Sequence, residues 1–272
     1  MRLGQYFGGY KPSPPDAVGT HELHAMPRMA SALKAVQLPA RVDNSALIPY
    51  VLDQGAQGSC VGHGVAEAIW GELCRTANPT SATPKQPSPF WVYWMGRALD
   101  GSIGDDAGTY VSSAFEQIQK FGFLANEQLP YRDDIISVDA ARIPALERAA
   151  YDQRIVTGCA RIMSAGQQRV IDIKMALAAG YLVVFGTMVD MAFEMLGPGD
   201  VWPGIYGTSQ PLGGHCMCIT GYEENHVDVL NSWGPGWCDG GWCMMYWSAV
   251  EQFDDIWVVS TAPAYSGTQE AA

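Results

Sequence analysis

The sequence is poor in charge. Only 16% of its 272 residues are Asp, Glu, Lys or Arg, against 48% hydrophobic residues that include 9 Trp and 12 Tyr. That balance excludes a disordered chain and allows a sizeable core. Basic residues are scarcer still: 16 Lys and Arg face 28 Asp and Glu, a formal charge of -12. Phosphate backbones and anionic membranes would be repelled, so neither is an expected partner. No apolar run reaches the roughly 18 residues of a membrane span. The opening stretch, MRLGQYFGGYKPSPP, lacks the apolar segment of a secretory signal. The expected location is the cytoplasm, or a virion in which the protein is carried.

A disulfide framework is also missing. The seven cysteines, Cys60, Cys74, Cys159, Cys216, Cys218, Cys238 and Cys243, are odd in number and follow no signal peptide, which favours free thiols in a reducing compartment. Cys216, Cys218, Cys238 and Cys243 fall in C-x-C and C-x4-C spacings that suit zinc poorly, so no metal and no cofactor is expected. Cys216 and Cys218 alternate along a strand as small core residues, and Cys238 and Cys243 flank a turn at Asp239-Gly240-Gly241.

What is present divides the chain into an extended arm (1–37), a mainly helical lobe (38–160), a mainly β lobe (161–263) and a flexible tail (264–272). The arm carries Lys11-Pro12-Ser13-Pro14-Pro15, which admits neither helix nor central strand. Val61, Val65, Ile69 and Leu73 recur every fourth residue and predict a helix starting near Cys60. Ser88-Pro89, a cap followed by proline at the first helical position, opens a second helix through Leu99. A third runs from about Tyr110 to Gly122, and a fourth over 164–180. Strands follow from Tyr181 and through 215–222, 226–232, 242–247 and 256–260. Helices first and strands second predict an α+β fold with a cleft between the lobes.

Cys60 sits where a helix N-terminus stabilises a thiolate. The preceding glycine-rich segment, Asp53-Gln54-Gly55-Ala56-Gln57-Gly58-Ser59, can bring the Gln54 amide close as part of an oxyanion hole. His215 opens a strand behind Gly213-Gly214, looks exposed to a cleft, and lies sixteen residues before Asn231-Ser232-Trp233-Gly234. Two antiparallel neighbours would bring Asn231 to the imidazole, where its amide oxygen fixes the tautomer.

These blocks resemble the papain family of cysteine peptidases, whose motifs read Gln-Gly-x-Cys-Gly-Ser-Cys-Trp, Gly-x-His and Asn-Ser-Trp-Gly-x-Gly-Trp. The spacing of six between Gln54 and Cys60 and of sixteen between His215 and Asn231 match. Trp233 and Trp237 fall on the family's tryptophans, the first of which shields the His–Asn bond. The resemblance spans about 38–262 and implies a papain-like two-lobe fold with Cys60, His215, Asn231 and Gln54 as the catalytic set. It also implies substrate backbone bound along Asp106-Ala107-Gly108 and Gly213-Gly214, and a polypeptide substrate. Val61 replaces the family's tryptophan after the nucleophile, and Gln57 replaces a disulfide cysteine. The arm is too short for the family's long inhibitory propeptide, so control by self-cleavage in that form is not expected. The missing signal and propeptide resemble papain-like proteins of bacteria and tailed phages, which suggests that the arm docks into a larger assembly.

Singly, each of these residues has a plainer reading. A lone cysteine is usually a small buried residue, a lone histidine a satisfied structural one, and amides at turns serve backbone. Only the joint spacing favours chemistry. His63, one turn after Cys60, is a rival base that should point along the helix surface instead. The run Phe90-Trp91-Val92-Tyr93-Trp94 reads as core. Two alternatives remain: a thiol amidase or transferase acting on peptidoglycan or isopeptides, and a structural component of a phage particle or secretion apparatus that retains the fold.

Overall fold

The computed structural model describes residues 8–29, 37–77 and 82–262. In the arm, a two-residue strand β1 (Tyr10–Lys11) precedes a 3-10 turn at Leu23–Ala25, and β2 (Val42–Asp43) follows. The central helix is α1 (Cys60–Thr76). It is succeeded by α2 (Pro89–Leu99), β3 (Thr109–Tyr110), α3 (Val111–Phe121) and α4 (Ile143–Tyr151). Then come β4 (Val156–Arg161), α5 (Gly166–Ala178), β5 (Val183–Asp190), α6 (Met191–Glu194), β6 (Val201–Trp202), β7 (Pro211–Tyr222), β8 (His226–Leu230), β9 (Trp242–Tyr246) and β10 (Asp255–Thr261).

Helix α1 is buried on every side from Cys60 to Leu73. Two glycines in its first turn and a half make that possible. A Cβ on Gly62 would stand 2.5 Å from the Pro89 carbonyl oxygen of α2, and one on Gly64 would stand 3.1 Å from Cys216 Sγ of β7. Residues that weaken an isolated helix by on the order of 1 kcal/mol each thus let it approach neighbours on both flanks. Helix α2 begins as its cap predicts: Ser88 Oγ accepts the Trp91 N–H, Pro89 is the first helical residue, and Phe90 to Trp94 are all buried.

The sheet runs in the order β4-β10-β5-β7-β8-β9-β6, with β2 pairing β7. Every pair in it is antiparallel except β6 with β9. One core fills the space between α1–α3 and the sheet, and a second lies within the β half. The α+β architecture and the helices expected from about 60, 88, 110 and 164 are present. Besides several short elements, two longer ones were not anticipated. Helix α4 buries only Leu146 and Ala150, too thin an apolar stripe to read. Strand β4, VTGCAR, interrupts its alternation with Gly158 yet pairs with β10 along its length. Strand β4 thus begins at Val156, within the segment read as the helical lobe. The tail expected over 264–272 lies outside the described residues. So do parts of the arm, but its described portion is not merely extended: Tyr10, Leu23, Met26 and Met29 are buried against the body of the same chain.

Candidate active site

Cys60 is the first residue of α1, and the preceding Ser59 makes no side-chain cap on that helix. Its hydroxyl is engaged elsewhere, 2.7 Å from Tyr131 Oη and 3.3 Å from His63 Nδ1. The uncapped start leaves backbone N–H groups and the positive end of the helix beside the thiol. Backbone N–H groups of Cys216, Val61 and Cys60 itself favour the thiolate. Burial wins: the side chain is fully enclosed and its pKa is pushed up to about 12 from an ordinary 9.0.

Strand β7 brings His215 to the same place, because Cys216 and Cys218 flank α1 on this strand. Cys218 Sγ donates to the Gly64 carbonyl over 3.0 Å. Asn231 follows directly after β8, the antiparallel neighbour of β7. Its Oδ1 lies 2.7 Å from His215 Nε2 and also accepts the Ser232 N–H at 2.8 Å. Accepting the backbone N–H fixes that amide atom as the oxygen, so His215 carries its proton on Nε2 and presents a lone pair at Nδ1. That Nδ1 is buried and has no hydrogen-bond partner. The Trp233 ring lies 4.8 Å from the imidazole at 31°, with Phe193 and Trp237 packed edge-on or tilted behind it. Enclosure lowers the His215 pKa to about 4 from 6.5, while the Asn231 bond works in the opposite direction. His215, expected to be exposed, is thus fully buried.

Gln54 is tied to the same asparagine block. Its backbone N–H donates to the Ser232 carbonyl at 2.9 Å, and its Oε1 accepts from Ser232 Oγ at 2.8 Å. Its Nε2 donates to the Gln57 carbonyl at 3.0 Å, one of the two N–H bonds that atom has to give. Ser232, which joins the two blocks, was unremarked in the sequence although it stands inside the Asn-Ser-Trp-Gly motif. His63 is buried with Nδ1 3.0 Å from the Ser59 carbonyl and its ring edge-on to Tyr131 at 4.5 Å. It secures the helix start rather than reaching solvent.

The arm adds to the burial of Cys60. Gly9 lies on the thiol so closely that a Cβ there would be 2.9 Å from Cys60 Sγ and 2.2 Å from the Gly58 carbonyl oxygen. Strand β1 pairs in parallel with β3, and the Thr109 N–H donates to the Gly9 carbonyl at 3.1 Å. Of the residues expected to hold substrate backbone, Asp106 instead accepts the Gly58 N–H (3.1 and 3.0 Å) and the Tyr93 hydroxyl (2.6 Å). The Gly108 N–H donates to Tyr93 Oη at 3.0 Å rather than to the arm. Ala107 is half-buried between them, and Gly213 is half-buried at the cleft end of β7. Gly214 packs against Tyr10. The arm thus uses the predicted edge one residue later, at Thr109. The described part of the arm is lodged in the chain's own cleft, and its expected docking into a larger assembly finds no support. Glycine, tyrosine and proline in 8–15 carry no periodic signal that could have shown this.

The remaining cysteines are all unpaired, and the described residues hold no group of three or more His, Cys, Asp or Glu arranged around a metal position. No described helix is long and apolar enough to cross a membrane.

A cleft between a helical and a β half, with a thiol at a helix start and an asparagine-held imidazole on the facing strand, defines a thiol hydrolase. The family model described as papain family cysteine protease matches residues 37–254, and the chain belongs to that family. A peptidase C1-like protein of Acanthamoeba polyphaga mimivirus is 29% identical over 221 residues, covering 76% of this chain and 68% of the relative. Cathepsin B-like CP3 of Giardia intestinalis is 25% identical over 209 residues, 72% of this chain and 63% of that protein. Among solved structures, xylellain, a cysteine protease from Xylella fastidiosa, superposes with a TM-score of 0.77 at 24% identity, over 96% of this chain and 99% of that one. A Carica candamarcensis cysteine protease in complex with E-64 superposes with a TM-score of 0.63 at 18% identity, covering 82% and 99%. These likenesses bear out the papain-like fold and the thiol-protease class. They give no support to the amidase or structural-component alternatives.

Proposed function

We propose that the chain hydrolyses peptide bonds with Cys60 as nucleophile, His215 as general base and acid, Asn231 as the residue that orients the imidazole, and Gln54 as an oxyanion donor. The observation that carries this reading is the buried, partnerless His215 Nδ1 beside an Nε2 already held by Asn231 at 2.7 Å. One ring nitrogen is fixed and the other is free to take a proton.

Nδ1 removes the thiol proton as the sulfur attacks the scissile carbonyl carbon, whose electron pair moves onto oxygen. The second N–H of Gln54 Nε2 and the Cys60 backbone N–H stabilise that oxyanion, each donor contributing on the order of 3 kcal/mol where such groups have been removed. The tetrahedral species collapses, the C–N bond breaks, and the imidazolium returns its proton to the leaving amine. Water, deprotonated by His215, then attacks the acyl-enzyme carbonyl and the thiol regains its proton. Trp233 and the aromatic group behind it keep water from competing for the His215–Asn231 bond. Substrate reaches the thiol only when the arm has left the cleft.

The test is cleavage of fluorogenic peptides by the full chain and by Cys60→Ala, with folding of both checked by circular dichroism. Activity in the first and none in the second is the expected result. Equal residual cleavage in both overturns the reading.

A further inference from the structure

Next to Gly9, the Tyr10 side chain fills a pocket in the β wall of the cleft, and that pocket has chemistry of its own. Its walls are two glycines on neighbouring strands. A Cβ on Gly186 of β5 would fall 2.1 Å from Tyr10 Cζ, and one on Gly214 of β7 would fall 2.9 Å from Tyr10 Cδ1. Asp255 of β10 stands directly opposite Gly186 in the sheet, so the missing side chain on one strand opens room beside a carboxylate on the next. Asp255 is fully buried.

Its two oxygens divide their partners between the body and the arm. Oδ1 is held from within, by Arg161 Nη2 at 2.8 Å and Trp257 Nε1 at 3.1 Å. Oδ2 is served, among the described residues, by the arm, through the Tyr10 hydroxyl at 3.2 Å and the Ser13 N–H at 2.6 Å. When the arm leaves, a buried acceptor loses both donors in a slot shaped for an aromatic ring, and an unpaired buried acceptor is costly to leave unmet. Arg161 already neutralises the carboxylate, so a neutral hydroxyl fits better than a second cation.

On the peptidase reading above, we infer that this pocket is a substrate-selecting subsite for tyrosine, with Asp255 as the specificity-determining residue and Tyr10 as its internal stand-in. A site built to bind a hydroxyl discriminates against the analogue that lacks it more strongly than an apolar slot discriminates by size. Phenylalanine would fill the slot and leave Oδ2 bare, arginine would meet Arg161, and leucine would leave part of the slot empty.

The test uses the full chain carrying Tyr10→Gly, which empties the pocket while keeping the arm. Peptides are scanned with Tyr, Phe, Arg or Leu at each of the two residues on either side of the cleaved bond. The expected result is one position at which Tyr exceeds Phe in kcat/KM by about tenfold and exceeds Arg by more. Asp255→Asn in the same background, with its fold checked by thermal melting, should bring the Tyr and Phe values together. Cleavage with no preference for Tyr at any position overturns the inference and leaves the peptidase reading intact. A second readout does not need catalysis: p-cresol should raise the melting temperature of Tyr10→Gly more than toluene does, and neither should stabilise the parent chain. Preferential stabilisation by p-cresol without any peptide cleavage would support the pocket and count against the peptidase. Equal stabilisation by the two would show Tyr10 to be an anchor of the arm alone and overturn the inference.

Discussion

The two walls of the cleft and the arm that lies between them are built in opposite ways. The walls are cross-linked to each other. Gln54 binds Ser232 and an antiparallel bridge joins Asp53 to Trp233, while within the β wall Asn231 binds His215. The arm between them is a short strand of two residues, a glycine on the sulfur and two bonds to Asp255, from the Tyr10 hydroxyl and the Ser13 N–H, followed by buried Leu23, Met26 and Met29 further along. Arg28 fastens that far end, with its guanidinium 3.0 Å from Glu72 Oε2 and 3.7 Å over the Tyr181 ring. The walls are organised for chemistry and the arm for occupancy.

The largest effect that could break this comparison is on the walls. Cys60→Ala should abolish peptide cleavage altogether. Gln54→Ala should lower kcat by roughly 10²–10³-fold, the range for losing one oxyanion donor, and Asn231→Ala should lower kcat/KM by about 10²-fold through a misoriented base. Both are measured by steady-state kinetics with the fold confirmed by melting. Effects below threefold for both would mean that the wall network is only structural. On the arm side, Tyr10→Gly should raise the rate of Cys60 alkylation by iodoacetamide by about tenfold or more, because it removes a buried ring and the Asp255 bond together. An unchanged rate would mean that the arm does not guard the thiol.

A pH series sharpens the comparison. His63 and His215 are both held near 4 by burial, from an ordinary 6.5. The unfolded chain takes up these protons below about 6.5 and the folded chain does not until about 4. Stability is therefore fully present above 6.5 and lost as the pH falls through that window. Urea midpoints should drop between pH 7 and pH 4.5, and a flat profile would place these rings in water. The smallest effect concerns His63. Its contacts are with Ser59 and Tyr131, so His63→Ala should keep kcat/KM within about threefold while lowering the melting temperature.

Sequence pattern reached the walls far better than the arm, for a physical reason. Gln54 with Cys60 and His215 with Asn231 were legible because their spacings resemble those of the papain family's motifs. The buried face of α1 could be read from Val61, Val65, Ile69 and Leu73. The two glycines Gly62 and Gly64 read as weakness in a helix, and only the closeness of Pro89 and Cys216 gives them a purpose. Gly9 and Tyr10 act through backbone pairing and a single side chain, which leaves no period to detect. Asp255 likewise stood unmarked at the start of a strand, because its partners lie 94 residues away at Arg161 and 245 away at Tyr10.

The most direct test of the account is labelling of the folded full chain and of its Tyr10→Gly form with an epoxide inhibitor of the E-64 type, followed by mass mapping of the modified peptide. Modification confined to Cys60, slow in the parent chain and fast in the variant, is the predicted result. No modification at Cys60 in either folded protein would contradict its assignment as the nucleophile.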